Sequence, residues 1–126
     1  ASGGELSRIS LAIQVITANT SSVPTLVFDE VDVGVGGAVA EVVGTLLREL
    51  ARQAQIICVT HLPQVAAQGH QHLMVNKDSK PAGTTIDVVA LSEIEKVNEI
   101  ARMLGGVEMT DQSLAHAHEM FATAQK

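Results

Sequence analysis

Cysteine is nearly absent from these 126 residues, since Cys58 stands alone. A single thiol excludes an internal disulfide framework and every zinc motif built on paired thiolates, and a reducing setting is the default. Basic residues are also scarce: eight Lys and Arg face fourteen Asp and Glu, for a formal charge of -6. The surface as a whole therefore cannot serve as a cationic sleeve for nucleic acid, so any DNA contact is local or lies elsewhere. Long apolar runs are missing too. The longest span only a few residues, against roughly 20 needed to cross a bilayer, and no charged-then-apolar signal segment opens the chain. No membrane partner is expected, and a cytoplasmic location is. The initiating Met is missing as well. The chain opens on Ala1-Ser2-Gly3-Gly4, which reads as the middle of a motif, so a fragment of a longer protein is expected.

What is present is one domain's worth of apolar sequence, 46% hydrophobic and 17% charged. Leu6, Ile9, Ile13 and Ile16 recur every three or four residues and predict a helix over about 3–19 with those residues as its buried stripe. Ser2 and Glu5 form the S-x-x-E capping box at its start. Thr25-Leu26-Val27-Phe28 reads as a buried parallel strand that stops at Asp29-Glu30, followed by a glycine-rich loop from Gly34 to Gly37. A helix over about 38–53 places Val39, Val42, Val43, Leu46, Leu47 and Leu50 on one face. Ile56 to Val59 forms a second buried strand, ending at Thr60-His61. Pro63 and Gly69 bracket a short helix in the N1 and C′ arrangement. Strand-like runs at 72–76 and 85–91 flank the turn-forming stretch 78–83 as a hairpin. Ile94, Val97, Ile100, Ala101 and Leu104 define a helix stopped by Gly105-Gly106, and Thr110 caps a last one carrying Leu114, Ala117 and Phe121. The fold class is α/β with helical ends.

Chemistry concentrates at two strand ends. Four apolar residues followed by Asp29-Glu30 form a Walker B pattern, in which one carboxylate holds Mg²⁺ and the next polarises the attacking water. An acidic pair after a strand also occurs as a solvated loop, and a lone histidine such as His61 as a surface residue. Their order is what carries information: S-G-G-E on a capped helix, then a strand with D-E, then a strand with T-H. Gly34-Val35-Gly36 fails as a dinucleotide fingerprint, because the third glycine position falls on Val39. His70/His72 and His116/His118 have a spacing of two, which on a helix points side chains to different faces, so metal binding by them is not expected. Cys58 reads as an inert small hydrophobe in its strand. Arg8 reads as a solvated charge.

That order resembles the ATPase heads of the ABC and SMC type, with signature, Walker B, D-loop and switch histidine. The wording ASGGELSRISLAIQVI, TLVFDEVDVGVGG and VTHLPQVAAQGHQHL is similar to the SMC-like branch of bacterial double-strand-break repair, and the likeness continues through ARMLGG and SLAHAHEM. The resemblance implies that residues 1–126 are the carboxy-terminal lobe of such a head, a partial P-loop NTPase sheet lacking its central Walker A strand. It implies ATP and Mg²⁺ as cofactors: Asp29 on the metal, Glu30 as general base, and His61 sensing the γ-phosphate. Ser2, Gly3 and Gly4 would touch ATP held by a second head, and a capped, glycine-rich helix start does present amides to an anion. Asp32 joins the cofactor-binding set through the D-loop. There the common SMC wording has a second Asp where this chain has Gly36, a departure shared by the repair branch that weakens any D-loop carboxylate role.

A Walker A loop needs G-x-x-x-x-G-K-[ST], and none of Lys77, Lys80, Lys96 or Lys126 follows a glycine. ATP binding and hydrolysis are therefore expected only with an amino-terminal lobe, DNA contacts only through other parts of the longer protein, and nucleoid association through both. The missing strand should leave the edge of Ile56 to Val59 open. Two alternatives share the same residues: a non-enzymatic dimerisation module whose motifs serve folding, and the head of another SMC or ABC ATPase with different cargo.

Overall fold

The computed structural model describes residues 3–20, 22–29, 32–106 and 108–126, and only the backbone of 3, 4, 6–10 and 19. Among the described residues nine elements follow in order: α1 (Gly3–Thr20), β1 (Thr25–Asp29), α2 (Gly37–Leu50), β2 (Gln55–Val59), α3 (Pro63–Ala66), β3 (Leu73–Lys80), β4 (Gly83–Ala90), α4 (Glu93–Gly105) and α5 (Asp111–Ala124). β1 and β2 pair in parallel, Thr25 opposite Gln55 through Asp29 opposite Val59. The parallel pairing follows from the crossover through α2. Its start is pinned by the Gln55 amide donating to the Pro24 carbonyl at 2.8 Å and the Thr25 hydroxyl donating to Gln55 Oε1 at 3.0 Å.

One face of this sheet carries Leu26, Phe28, Ile56 and Cys58 onto a core of Leu11, Val35, Ala40, Val43, Leu47, Leu50 and Val65. The other face corrects the expectation of fully buried strands. Val27 is 65% exposed and Val59 56%, because alternate residues point away from the helices that, among the described residues, cover the sheet. β2 pairs only with β1 among the described residues.

Two helix faces also need correction. Among the described side chains of α1 the buried one is Leu11, with Val15 and Ala18 beside it, while Ile13 and Ile16 are 59% and 67% exposed and the side chains of Leu6 and Ile9 lie outside the described residues. Spacings of three and four pick out more than one stripe on a helix this apolar, and the stripe that meets α2 is the one buried. In α2, Ala40, Val43, Leu47 and Leu50 are buried whereas Val42 and Leu46 are exposed. Each exposed residue is one position, about 100°, from a buried one. The capping role of Ser2 lies outside the described residues, as does the side chain of Arg8.

The second half is built on a smaller core of Ala67, Ile100, Ala101 and Ala117, with Val97, Leu104, Leu114 and Phe121 packed around it. Ile94, expected on the buried face of α4, is instead exposed on its first turn. Ser92 and Glu95 form a reciprocal capping box on α4 and Thr110 with Ser113 one on α5. Gly106 ends α4 with φ 74. Pro63 takes the N1 position of α3, which ends at Ala66, so Gly69 falls beyond the C′ position expected for it. The hairpin is longer than its sequence suggests: β3 and β4 pair as far as Lys80 opposite Gly83, leaving Pro81-Ala82 as the turn. Residues 78–80 and 83–84 are therefore strand, since backbone pairing once in register continues until Pro81 removes a donor.

Candidate active site at the carboxyl edge of the sheet

Parallel pairing brings the ends of β1 and β2 to the same edge, with Asp29 opposite Val59. In open α/β sheets that edge is where ligands bind. Asp29 is exposed there. Three residues on, Asp32 turns back into the protein and is only 3% exposed, its carbonyl accepting from the Val35 amide at 3.1 Å in a tight turn. Gly34, at φ 71, makes that turn possible.

A buried carboxylate is costly unless donors surround it. Here Asp32 Oδ2 accepts from the Thr60 hydroxyl and from the His61 amide at 3.1 Å, and His61 Nδ1 lies 3.3 Å away. Thr60 Oγ1 in turn accepts from the Leu62 amide at 3.0 Å, which fixes the hydroxyl for its bond to Asp32. The cluster fastens the loop after β1 to the loop after β2. Its outer member, the His61 ring, is 75% exposed and so is anchored on one side and open on the other.

The same carboxylates bear on the half-buried thiol beside them. Burial pushes the Cys58 thiol up to about 11, and the charges of Asp32 and then Asp29 add to that effect. Cys58 stays protonated at neutral pH and fits its reading as an unreactive packing residue.

Of the residues singled out from sequence, the structure brings together Asp29, Asp32 and His61. Glu30 and Ser2 lie outside the described residues. Gly3 and Gly4 form the first turn of α1, with their amides at a helix N-terminus. Sequence reasoning missed Thr60, although its position between an apolar strand and His61 was the available signal, and it did not see that Asp32 faces His61. His70 offers its carbonyl to Lys96 Nζ at 2.8 Å, and burial holds His72 below the ordinary imidazole range. Among the described residues no three His, Cys, Asp or Glu side chains cluster as metal ligands do.

This fold is that of an SMC-type ATPase head. A solved SMC ATPase, described in work on ATP-driven dimerization and DNA-stimulated activation of such enzymes, matches with a TM-score of 0.69 at 22% identity, covering 86% of this chain and 65% of that one. No family model matches. Within that class the sequence is RecN-like almost end to end. It is 57% identical over 120 residues to DNA repair protein RecN of Haemophilus influenzae, covering 95% of this chain and 22% of that protein. RecN of Vibrio cholerae is 52% identical over 98% of the chain and RecN of Bacillus subtilis 46% identical over all of it, each matched over 22% of its own length. The chain thus spans about a fifth of these curated relatives, in their carboxy-terminal part. No helix among the described residues is long and apolar enough to cross a membrane.

Proposed function

We propose that this chain is the carboxy-terminal lobe of an ATP-hydrolysing, RecN-type head that acts in DNA double-strand-break repair and recombination, with ATP held between two heads. The observation that carries the reading is the Asp32 cluster, which holds an exposed imidazole at the same sheet edge where Asp29 emerges. The residues fit the cofactors by donor chemistry. Asp29, an exposed carboxylate, would hold Mg²⁺, and His61 would face the γ-phosphate. Mg²⁺, when bound, neutralises charge developing on the phosphates. Glu30, next in the chain after Asp29, would take a proton from the attacking water. Ser2, Gly3 and Gly4 would turn the amides of the α1 N-terminus toward ATP on the second head.

The chain holds no Walker A sequence, so the amino-terminal lobe is its first partner and a second copy of the whole head its next. With a charge of -6, DNA contact falls to other parts of the longer protein. Location in the bacterial cytoplasm, at the nucleoid, follows from that work. The test is ATP hydrolysis by the head completed with its amino-terminal lobe. Glu30→Gln should slow turnover by about 10²- to 10⁴-fold, the usual contribution of a positioned general base. ATP binding should survive, because Gln keeps the shape of the side chain. Turnover by this chain alone, indifferent to Glu30, would contradict the reading; a completed head that binds no ATP would favour the non-enzymatic module.

A further inference from the structure

We propose that Asp32 is a positioning residue for His61, fixing its neutral imidazole as the Nδ1–H tautomer with a bare Nε2 at the open sheet edge. Asp32 Oδ2 lies 3.3 Å from His61 Nδ1 and also accepts from the Thr60 hydroxyl and the His61 amide. An ionised carboxylate can only accept. At 3.3 Å an Nδ1–H sets a positive hydrogen beside the carboxylate, whereas a bare Nδ1 would set a lone pair against it. Thr60 cannot serve instead, because its hydroxyl hydrogen goes to Asp32 while its oxygen receives the Leu62 amide.

A free neutral histidine side chain favours the Nε2–H form, so the cluster reverses the ordinary preference. The backbone contributes to the selection as well: the His61 amide bonds the same oxygen, so main chain and ring are held by one acceptor. Asp32 itself is 3% exposed and pinned by the 32–35 turn, which leaves little freedom for the carboxylate to swing away. The consequence for the site rests on the hydrolysis reading above. A bare Nε2 accepts a hydrogen bond from water, and it meets an anionic phosphate oxygen only through such a water or after taking up a proton. Neutral His61 thus orients water at the γ-phosphate.

The tautomer is read directly from long-range proton–nitrogen correlations of the chain labelled with ¹⁵N in its five histidines, at alkaline pH where histidine is neutral. The His61 signals are assigned by their loss in His61→Gln. The wild-type chain should show Nδ1–H at His61. Asp32→Ala should invert the ratio in favour of Nε2–H, whereas Asp32→Asn, whose amide oxygen can still accept, should keep the Nδ1–H form. Thr60→Val should also keep it, which separates selection by the carboxylate from general loosening of the loop. Nε2–H in the wild-type chain overturns the proposal even where Asp32→Ala fails to fold. A folded Asp32→Ala chain that keeps Nδ1–H, or an Asp32→Asn chain that loses it, overturns it equally. None of these spectra involves ATP, so their failure and a failure of hydrolysis are separate results.

Discussion

The two sheets have two strands each and opposite surroundings. β1 and β2 run parallel, which obliges the chain to cross over through α2, and that helix covers one face with Phe28 and Cys58 turned inward. β3 and β4 close on Pro81-Ala82, need no crossover, and receive no cover beyond the partly buried Met74 and Val89 at their base. Leu73, Val75, Ile86 and Val88 are more than half exposed. The covered sheet supports a buried carboxylate at its edge; the uncovered one has no interior in which to place one. Of the two sheets, therefore, only the one whose topology demands a covering helix holds a carboxylate out of water.

The largest effect that would sharpen this contrast is in the first core. Leu47→Ala should destabilise the chain by about 2–5 kcal/mol in urea or thermal unfolding, the cost of a large-to-small change at a buried site. Val75→Thr in the hairpin should stay within about 0.5 kcal/mol, as surface changes do. Equal losses at both positions would show that the hairpin is covered after all. A smaller effect is expected where α2 meets α3. A Cβ on Gly44 would lie 3.0 Å from the Gln64 carbonyl oxygen and 3.2 Å from Val65 Cα, both backbone atoms. Overpacking costs about 1–3 kcal/mol and the gain in helix propensity returns about 1. Gly44→Ala should therefore lower stability by up to about 2 kcal/mol; a stabilised variant would mean that α3 moves away freely.

The smallest effect belongs to the start of α4. Ser92→Ala removes the cap and should cost about 1 kcal/mol, read as a lower unfolding midpoint. The partner carboxylate adds a pH dependence. The Ser92 amide, bonded to Glu95 Oε2 at 2.7 Å, holds the Glu95 carboxyl below its ordinary value of 4.5. A depressed value means that this contribution is complete above pH 4.5 and is lost as pH falls through the lowered one. The difference between the wild-type chain and Glu95→Gln should accordingly shrink on acidification, and a difference that grows would contradict the assignment.

Much of this architecture was legible because local rules and tertiary structure agree in it. Pro63 at N1, Gly105-Gly106 and the Thr110 cap all mark element ends by backbone chemistry that needs no partner. Which helix face is buried was less legible. Ile13 and Ile16 match the helical period as well as Leu11 does, and only the position of α2 chooses between them. The candidate site divides in the same way. Asp29 and His61 announce themselves by following apolar strands. The contact from Asp32 to Thr60 and His61 spans 28 and 29 residues and exists only because β1 and β2 are adjacent and parallel. The Ser92-x-x-Glu95 box is equally local and caps α4 two residues before Ile94, the first apolar residue of its stripe.

On the proposed reading, one lobe supplies both a hydrolytic edge to its own head and a signature helix to its neighbour's. The direct measurement is the mass in solution, by light scattering, of the completed head carrying Glu30→Gln, so that ATP is bound and not consumed. Adding ATP and Mg²⁺ should double the mass, and Ser2→Arg in the same background should abolish the doubling by placing bulk against the second head's phosphate. A head that pairs in ATP despite Ser2→Arg, or that never pairs, would contradict the claim.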